Sequence, residues 1–186
     1  MSKIEVLLPA ELKTERFVMK PLSLEDKFAW MDFINSQDAL RFISFIKSTE
    51  DACEEWILRQ QERYRNNEGG LFGMYLGDVL IGQCGLLVQE IDDELELEIG
   101  YHVLPEYWKN GYAFEASKAW KDYAFQNRFS KSIISMIHIG NMASQAVASK
   151  NGMTKEKETF YKELPVAIYR ITYAEWMQEV EHDEIA

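Results

Sequence analysis

The run Glu98-Ile99-Gly100-Tyr101-His102-Val103-Leu104-Pro105-Glu106-Tyr107-Trp108-Lys109-Asn110-Gly111-Tyr112-Ala113 reads as a strand, a proline-broken loop and a glycine that opens a helix. A loop feeding a helix N-terminus points unpaired backbone N–H groups at one spot, and the helix dipole favours negative charge there. Gly111 lets the main chain approach a ligand with no side chain between them. The chemistry served is capture of an anion, phosphate above all, so a phosphate-bearing cofactor is the first expectation. In the preceding strand Glu94, Glu96 and Glu98 alternate with Leu95, Leu97 and Ile99, which places three carboxylates on one face. Glu94 and Glu96 read as a solvated face. Asn141 followed by Ser144 reads as a helix N-cap with a polar third residue. His102, His138 and His182 show no metal-ligand spacing, and His102 reads as a partly buried sheet residue rather than a catalyst. Cys53 and Cys84 form no metal or redox pattern and read as core or near-core thiols.

The elements that must position these groups can be read from periodicity. Glu15 to Pro21 alternates as a half-buried strand, and Ser23 with Glu25 and Asp26 starts a helix whose apolar face is Phe28, Trp30, Met31 and Ile34. Ser48-Thr49-Glu50-Asp51 opens a second helix running through Cys53, Trp56, Ile57, Gln60 and Tyr64 and ending near Gly69-Gly70. Phe72 to Leu76, a Gly77-Asp78 turn and Val79 to Val88 form a hairpin, and Asp92-Asp93 turns the chain into the strand Glu94 to Val103. Then follow a helix over Tyr112 to Asn127, a buried strand over Ser132 to Ile139 and a short helix over Asn141 to Lys150. Two strands, roughly Glu156 to Lys162 and Ala167 to Tyr173, lead to an acidic helical tail from Ala174 to Ala186. No repeat, linker or domain boundary interrupts residues 1–186, which read as a single α/β (α+β) domain on a mostly antiparallel sheet.

A chain of 186 residues can bury a full core without disulfides or metal, and 47% hydrophobic residues argue for an ordered globule. The net charge of −11 argues against nucleic acid as a direct partner, because phosphodiester binding needs a basic footprint. The acidic surface, with the tail residues Glu175, Glu179, Glu181, Asp183 and Glu184, leans towards a cationic partner or serves solubility alone. Met1 to Glu5 lacks the features of a signal peptide, and no apolar run reaches membrane-spanning length, so a cytoplasmic, membrane-free protein is expected.

The words Glu98-Ile99-Gly100-Tyr101 and Pro105 to Ala116 resemble the acyl-CoA-binding core of the GNAT superfamily of N-acetyltransferases. Asn141-Met142-Ala143-Ser144, followed by Lys150-Asn151-Gly152-Met153, is similar to that family's next motif at the expected distance. Leu12 to Leu22 resembles the first strand of the ribosomal-protein N-acetyltransferase-like (RimJ/RimL-type) branch, and Tyr169 to Trp176 its closing strand and helix. The resemblance covers nearly the whole chain in order. It implies a GNAT-like sheet with a splayed central strand, flanked by helices.

It also implies roles. Acetyl-CoA is the expected co-substrate, with its phosphates on the N–H groups of Lys109, Asn110, Gly111, Tyr112, Ala113 and Phe114, and Lys109 adding a charge. Tyr101, His102 and Val103 offer main-chain groups to the pantetheine arm, and Asn141 contacts the same arm. Glu98 aligns with the family's Glu-Ile-Gly motif and is the expected general base, directly or through a water; Ser144 is the expected donor to the leaving thiolate. Trp108 stands where the family often has Gln or Arg, and Ala148 where many members have a tyrosine general acid. The function implied is transfer of an acetyl group to a primary amine, a protein N-terminus or a cationic small molecule. The alternatives are a non-catalytic acyl-CoA sensor and an antibiotic-modifying acetyltransferase. Acceptor pockets in this family draw on the first two helices and the late hairpin; Trp30, Phe42, Phe45 and Trp56 are expected mostly in the core. An exposed late strand edge leaves room for a homodimer.

Overall fold

The computed structural model describes residues 3–43 and 47–185, so Met1, Ser2, Phe45 and Ala186, and the side chains of Asp183 and Glu184, lie outside the described residues. The chain begins with two short strands, β1 (Leu12–Lys13) and β2 (Val18–Pro21). Three helices follow: α1 (Lys27–Asn35), α2 (Gln37–Leu40) and α3 (Glu50–Arg65). A meander of β3 (Gly69–Leu76), β4 (Val79–Ile91) and β5 (Glu94–Val103) leads into α4 (Tyr112–Gln126) and β6 (Ser132–His138). Next come α5 (Met142–Lys150), the hairpin β7 (Thr154–Tyr161) and β8 (Leu164–Thr172), and α6 (Tyr173–Ile185).

These strands form one eight-stranded sheet in the order β1-β2-β3-β4-β5-β6-β8-β7. Every neighbouring pair is antiparallel except β5 and β6, which run parallel. Parallel neighbours need a crossover, and α4 supplies it. The β4–β5 register is unbroken from Gly82↔Val103 to Ile91↔Glu94, whereas β5 and β6 meet only at Glu98↔Ile134. Beyond that point the two strands diverge, which is the splay that the family resemblance implied.

One sheet face is covered by α4, whose Ala116, Trp120, Ala124 and Phe125 are fully buried against Phe72, Leu86, Leu97 and Ile99. The Trp120 and Phe72 rings meet edge to face at 5.1 Å, an arrangement aromatic quadrupoles favour. The opposite face is covered by α1 and α3, which bury Trp30, Phe33, Cys53 and Ile57 with Tyr75 and Leu80. Cys53 and Cys84 are both free and buried, as their apolar surroundings in the sequence implied. Inside the sheet, a Cβ at Gly85 would stand 2.2 Å from the Gly70 carbonyl oxygen, so only glycine lets β3 and β4 approach there. A buried charge ties the last helix down. Lys121, 2% exposed, sets its Nζ 2.9 Å from the Asn151 carbonyl and 2.5 Å from Glu179 Oε2.

Element order and the hairpin turn at Gly77-Asp78 agree with the sequence reading. Phe28, read on the apolar face of the first helix, is instead 68% exposed, while Trp30 and Ile34 of that face are buried. Three further details depart as well. The second long helix ends at Arg65 rather than at Gly69-Gly70. Asn67 takes the left-handed conformation (φ 56°), and the Asn67 and Glu68 N–H groups bond the Tyr64 and Arg63 carbonyls. That is a Schellman end built on asparagine, and it leaves Gly69-Gly70 to open β3. The single turn α2, with Ser36 as its N-cap, has too short a period to read. Strands β7 and β8 begin at Thr154 and Leu164, earlier than the alternation suggested.

Candidate active site

The splay between β5 and β6 is bounded by main-chain groups whose direction follows from the ladder. Leu104 N–H bonds the Ile81 carbonyl, so Leu104 faces β4 and, by alternation, His102 does as well. Tyr101 and Val103 therefore turn their N–H and C=O groups towards the gap. Of the three residues expected to offer main-chain groups, His102 does not, because its backbone belongs to the β4 ladder. The Val103 carbonyl is also engaged, accepting from Trp108 Nε1 at 2.6 Å. At the base of the gap Ser135 Oγ of β6 donates to the Ile99 carbonyl at 3.0 Å, closing the sheet just before it opens.

At one end of the gap stands the N-terminus of α4. Gly111 is its N-cap at φ 80°, and no side chain caps the helix. Glu115 N–H takes the Gly111 carbonyl, which leaves the Tyr112, Ala113 and Phe114 N–H groups of the first turn without intrahelical partners. Lys109 and Asn110 are exposed beside them. Two cations that the sequence gave no reason to place here flank this turn. The Arg16 guanidinium lies 4.5 Å from the Tyr112 ring centroid, donates to the Asn110 carbonyl at 2.9 Å and pairs with Glu115 at 2.6 Å. Lys150 Nζ lies 4.3 Å from the Phe114 ring centroid. Anion-attracting amides and two held cations converge on one exposed corner.

A cavity of about 200 Å³ runs through the gap. Asn141 and Ser144 of the α5 start line it from one sheet face, and Trp56, Arg59 and Arg63 of α3 from the other. Asn141 Oδ1 accepts from Ser144 N–H at 3.1 Å, the N-cap read from the sequence. The Tyr101 phenol reaches into the same corner and donates to the Ser144 carbonyl at 2.8 Å, with burial holding its pKa above the ordinary phenol range. Ala148 is packed in the core, so nothing at that position faces the cavity.

Glu98 lines the cavity at 6% exposure. Burial pushes its carboxyl above the usual carboxylate range; a hydrogen bond from Gln89 Nε2 at 3.0 Å, the Met136 backbone N–H and the Arg63 charge oppose that rise. A buried carboxyl whose pKa is raised, and which lines a cavity, is suited to exchange a proton. Glu94 is exposed, as expected of a solvated face, but Glu96 is not: it is locked to Arg170 by a two-pronged ion pair at 2.6 and 3.0 Å. Glu98 alone of the three lines the cavity.

His102 is seated among the rings of Trp30, Phe33 and Trp56 at 6.2, 5.5 and 5.8 Å, and burial pushes its pKa down to about 4. It is a neutral wall residue, as the sequence reading preferred. Phe42 and Trp56, expected in the core, instead line the cavity, while Trp30 is buried as expected. Both aromatic walls stand where helix meets strand, a position period alone does not distinguish from core. The sequence reading missed Arg59, Arg63, Gln89, Tyr161 and Lys162, which complete the lining. Trp56, Arg59, Gln60 and Arg63 share one face of α3 at three- and four-residue spacing, a signal that would have found the two arginines. Among the described residues no group of three or more His, Cys, Asp and Glu side chains is placed to hold a metal, and no helix is long and apolar enough to cross a membrane.

The family model for the acetyltransferase (GNAT) domain matches residues 16–154. The uncharacterized protein YkkB of Bacillus subtilis (strain 168) is 30% identical over 165 residues, covering 86% of this chain and 94% of that protein. The uncharacterized N-acetyltransferase YoaA of the same organism is 27% identical over 151 residues, covering 78% of this chain and 83% of that one. A GNAT-family acetyltransferase structure from Bacillus anthracis superposes with a TM-score of 0.74 at 22% identity, covering 88% of this chain and 99% of that one. RimL, a ribosomal alpha-N-protein acetyltransferase in complex with coenzyme A, superposes at 0.74 and 11% identity, covering 87% and 97%. At these identities the two structures show a shared fold.

Proposed function

We propose, on the premise that this chain belongs to the acetyltransferase (GNAT) family and is an acetyl-CoA-dependent N-acetyltransferase, that the gap between β5 and β6 is where acetyl transfer takes place. The observation that carries this assignment is one continuous cavity joining a buried carboxylate, Glu98, to Tyr101, on the stretch of β5 that has parted from β6. In this reading the N–H groups from Lys109 through Phe114 hold the pyrophosphate, with Arg16 and Lys150 adding charge. Tyr101 pairs through its main chain with the amide groups of the pantetheine arm, Asn141 orients the same arm, and the Val103 N–H is left for the thioester.

Glu98 takes the proton from the acceptor ammonium, directly or through a water. The freed nitrogen attacks the thioester carbonyl carbon; the C–N bond forms, and the carbonyl oxygen gathers charge against the Val103 N–H. When the C–S bond breaks, the nitrogen gives its second proton to solvent, and the thiolate takes one from the Ser144 hydroxyl, which recovers a proton from that solvent. The Tyr101 phenol borders the same corner. Positioning supplies much of the rate, since the cavity converts a bimolecular encounter into a local one. We read residues 1–186 as one catalytic domain that works in the cytoplasm, alone or as a homodimer through the β7 edge, on a primary amine of a protein N-terminus or a small molecule.

Calorimetric titration with acetyl-CoA tests the site, with a Gly111→Glu variant alongside. A Cβ at Gly111 meets only Arg16, at 3.5 Å, so the variant places a carboxylate at the anion corner at the cost of about 1 kcal/mol for a side chain at φ 80°. Micromolar-range binding by the parent, lost in a variant that keeps its circular dichroism, is the expected result. Absence of binding by the parent refutes the assignment.

A further inference from the structure

We infer that the acceptor is a small amine bearing a carboxylate, a free amino acid or close analogue, whose carboxylate is held by Arg59, Arg63 and Lys162 while its amine faces Glu98. This inference rests on the acetyltransferase reading and narrows it. The first support is a charge inversion. The chain carries a net charge of −11, yet its cavity is lined by three cationic side chains and one carboxylate. An acidic surface attracts cations in general, but the cavity that selects the acceptor has the opposite sign.

The three cations come from two elements that the fold brings together. Arg59 and Arg63 lie one turn apart on α3, and Lys162 sits in the turn between β7 and β8. Burial, and the charges of Arg59 and Arg63, depress the Lys162 ammonium below its ordinary range. Like charges gathered this closely repel, which costs folding stability, and a bound carboxylate offsets that repulsion. The guanidinium of Arg63 is already oriented, donating to the Val88 carbonyl at 3.1 Å and to Gln89 Oε1 at 3.4 Å. A fork fixed in this way is prepared for a planar anion.

The spacing to the base agrees. Gln89 bridges Arg63 and Glu98, accepting from the first and donating to the second at 3.0 Å. An anion anchor and a proton acceptor are thus one side chain apart, matching the short separation of carboxylate and amine in an amino acid. A polyamine has no group for the cations. A peptide N-terminus has an amide where this site offers a charge. The acceptor side chain lies against Phe42 and Trp56, in the part of the cavity away from the pantetheine arm.

The experiment measures coenzyme A thiol release with free L-amino acids, each paired with its α-amide, with spermidine and a short peptide as further arms. The expected result is a kcat/KM for some acid at least about tenfold above that of its amide, carried mainly by KM. An amide amine loses its proton more easily than that of the parent acid, so nucleophile availability works against the expected order. Arg59→Gln and Lys162→Gln, both at exposed positions on the cavity rim, are expected to shrink the acid-to-amide ratio by about fivefold or more each, with acetyl-CoA affinity unchanged by calorimetry. Equal or better use of amides, peptide or spermidine overturns the inference and leaves acetyl transfer standing, as does an unchanged ratio in both variants. Weaker acetyl-CoA binding in those variants overturns it by assigning the cations to the co-substrate. Failure of the parent to bind acetyl-CoA at all refutes the earlier reading instead.

Discussion

Replacing Glu98 with glutamine separates the proposed base from its scaffold. The Glu98 carboxylate accepts from Gln89 Nε2 at 3.0 Å, and a glutamine oxygen can accept the same bond, so that contact is preserved. What the variant loses is the ability to take a proton. A positioned general base contributes about 10²- to 10⁴-fold, so kcat/KM should fall by that factor, roughly 2.7–5.5 kcal/mol of barrier. The stability should move the other way, and its sign follows from burial. Burial raises the folded pKa of Glu98 above its unfolded value. Between those two values the native state holds more protons than the unfolded state, so the parent loses stability as pH rises through that window. The loss amounts to about 1.4 kcal/mol for each factor of ten by which burial favours the protonated form. The amide carries no such penalty. Glu98→Gln should therefore be more stable than the parent near pH 8, and the advantage should vanish below the ordinary carboxylate range. Urea titrations at about pH 4 and pH 8 read the stability, and thiol release across pH reads the rate. The parent's acidic limb in kcat/KM should lie above the usual carboxylate range and disappear in the variant. Turnover within about threefold of the parent would remove Glu98 from the chemistry. A variant that loses both turnover and stability near pH 8 would show a structural role instead.

Two further outcomes test the packing that holds the site. Glu179→Ala strands the buried Lys121 ammonium with the Asn151 carbonyl alone, and should cost about 2–3 kcal/mol in urea titration, below the full cost of a broken buried pair because Glu179 is partly exposed. In a Lys121→Met background the same change should cost less than about 0.5 kcal/mol, and equal costs in both backgrounds would show that the two groups are uncoupled. Gly85→Ala drives a Cβ to within 2.2 Å of the Gly70 oxygen and should cost more than about 3 kcal/mol, whereas Gly77→Ala, with nothing within 4 Å but a φ of 62°, should cost about 1 kcal/mol by thermal melting.

Most of the strand and helix order was legible because alternation and three-four spacing each persist over whole elements, from the hairpin at Gly77-Asp78 to α4. The α4 loop was legible because Pro105 and Gly111 mark its two ends. The α3 boundary was misread because glycine is the usual stop signal and here Asn67 performs that task. The cavity lining was less accessible, since it joins residues far apart in the chain. Arg16 meets Glu115, and Lys162 meets α3, only after the sheet has assembled. Phe42 and Trp56 looked like core because an apolar ring against a cavity and one against a core have the same sequence pattern. Glu96 and Glu98 are indistinguishable by alternation. Their fates diverge because Arg170 on β8 reaches one and not the other.

The slot between β5 and β6 is walled by α5 on one face of the sheet and α3 on the other, and that two-sidedness governs traffic. Under the proposed assignment the thiol product and the acylated product sit at opposite doors and need not pass each other. Neither must wait for the other to depart, so product release should be random in order. Because the amine attacks the thioester directly, both substrates meet before anything leaves, and initial-rate plots should intersect. With its second door closed by an acceptor, the thioester is also sheltered from idle hydrolysis.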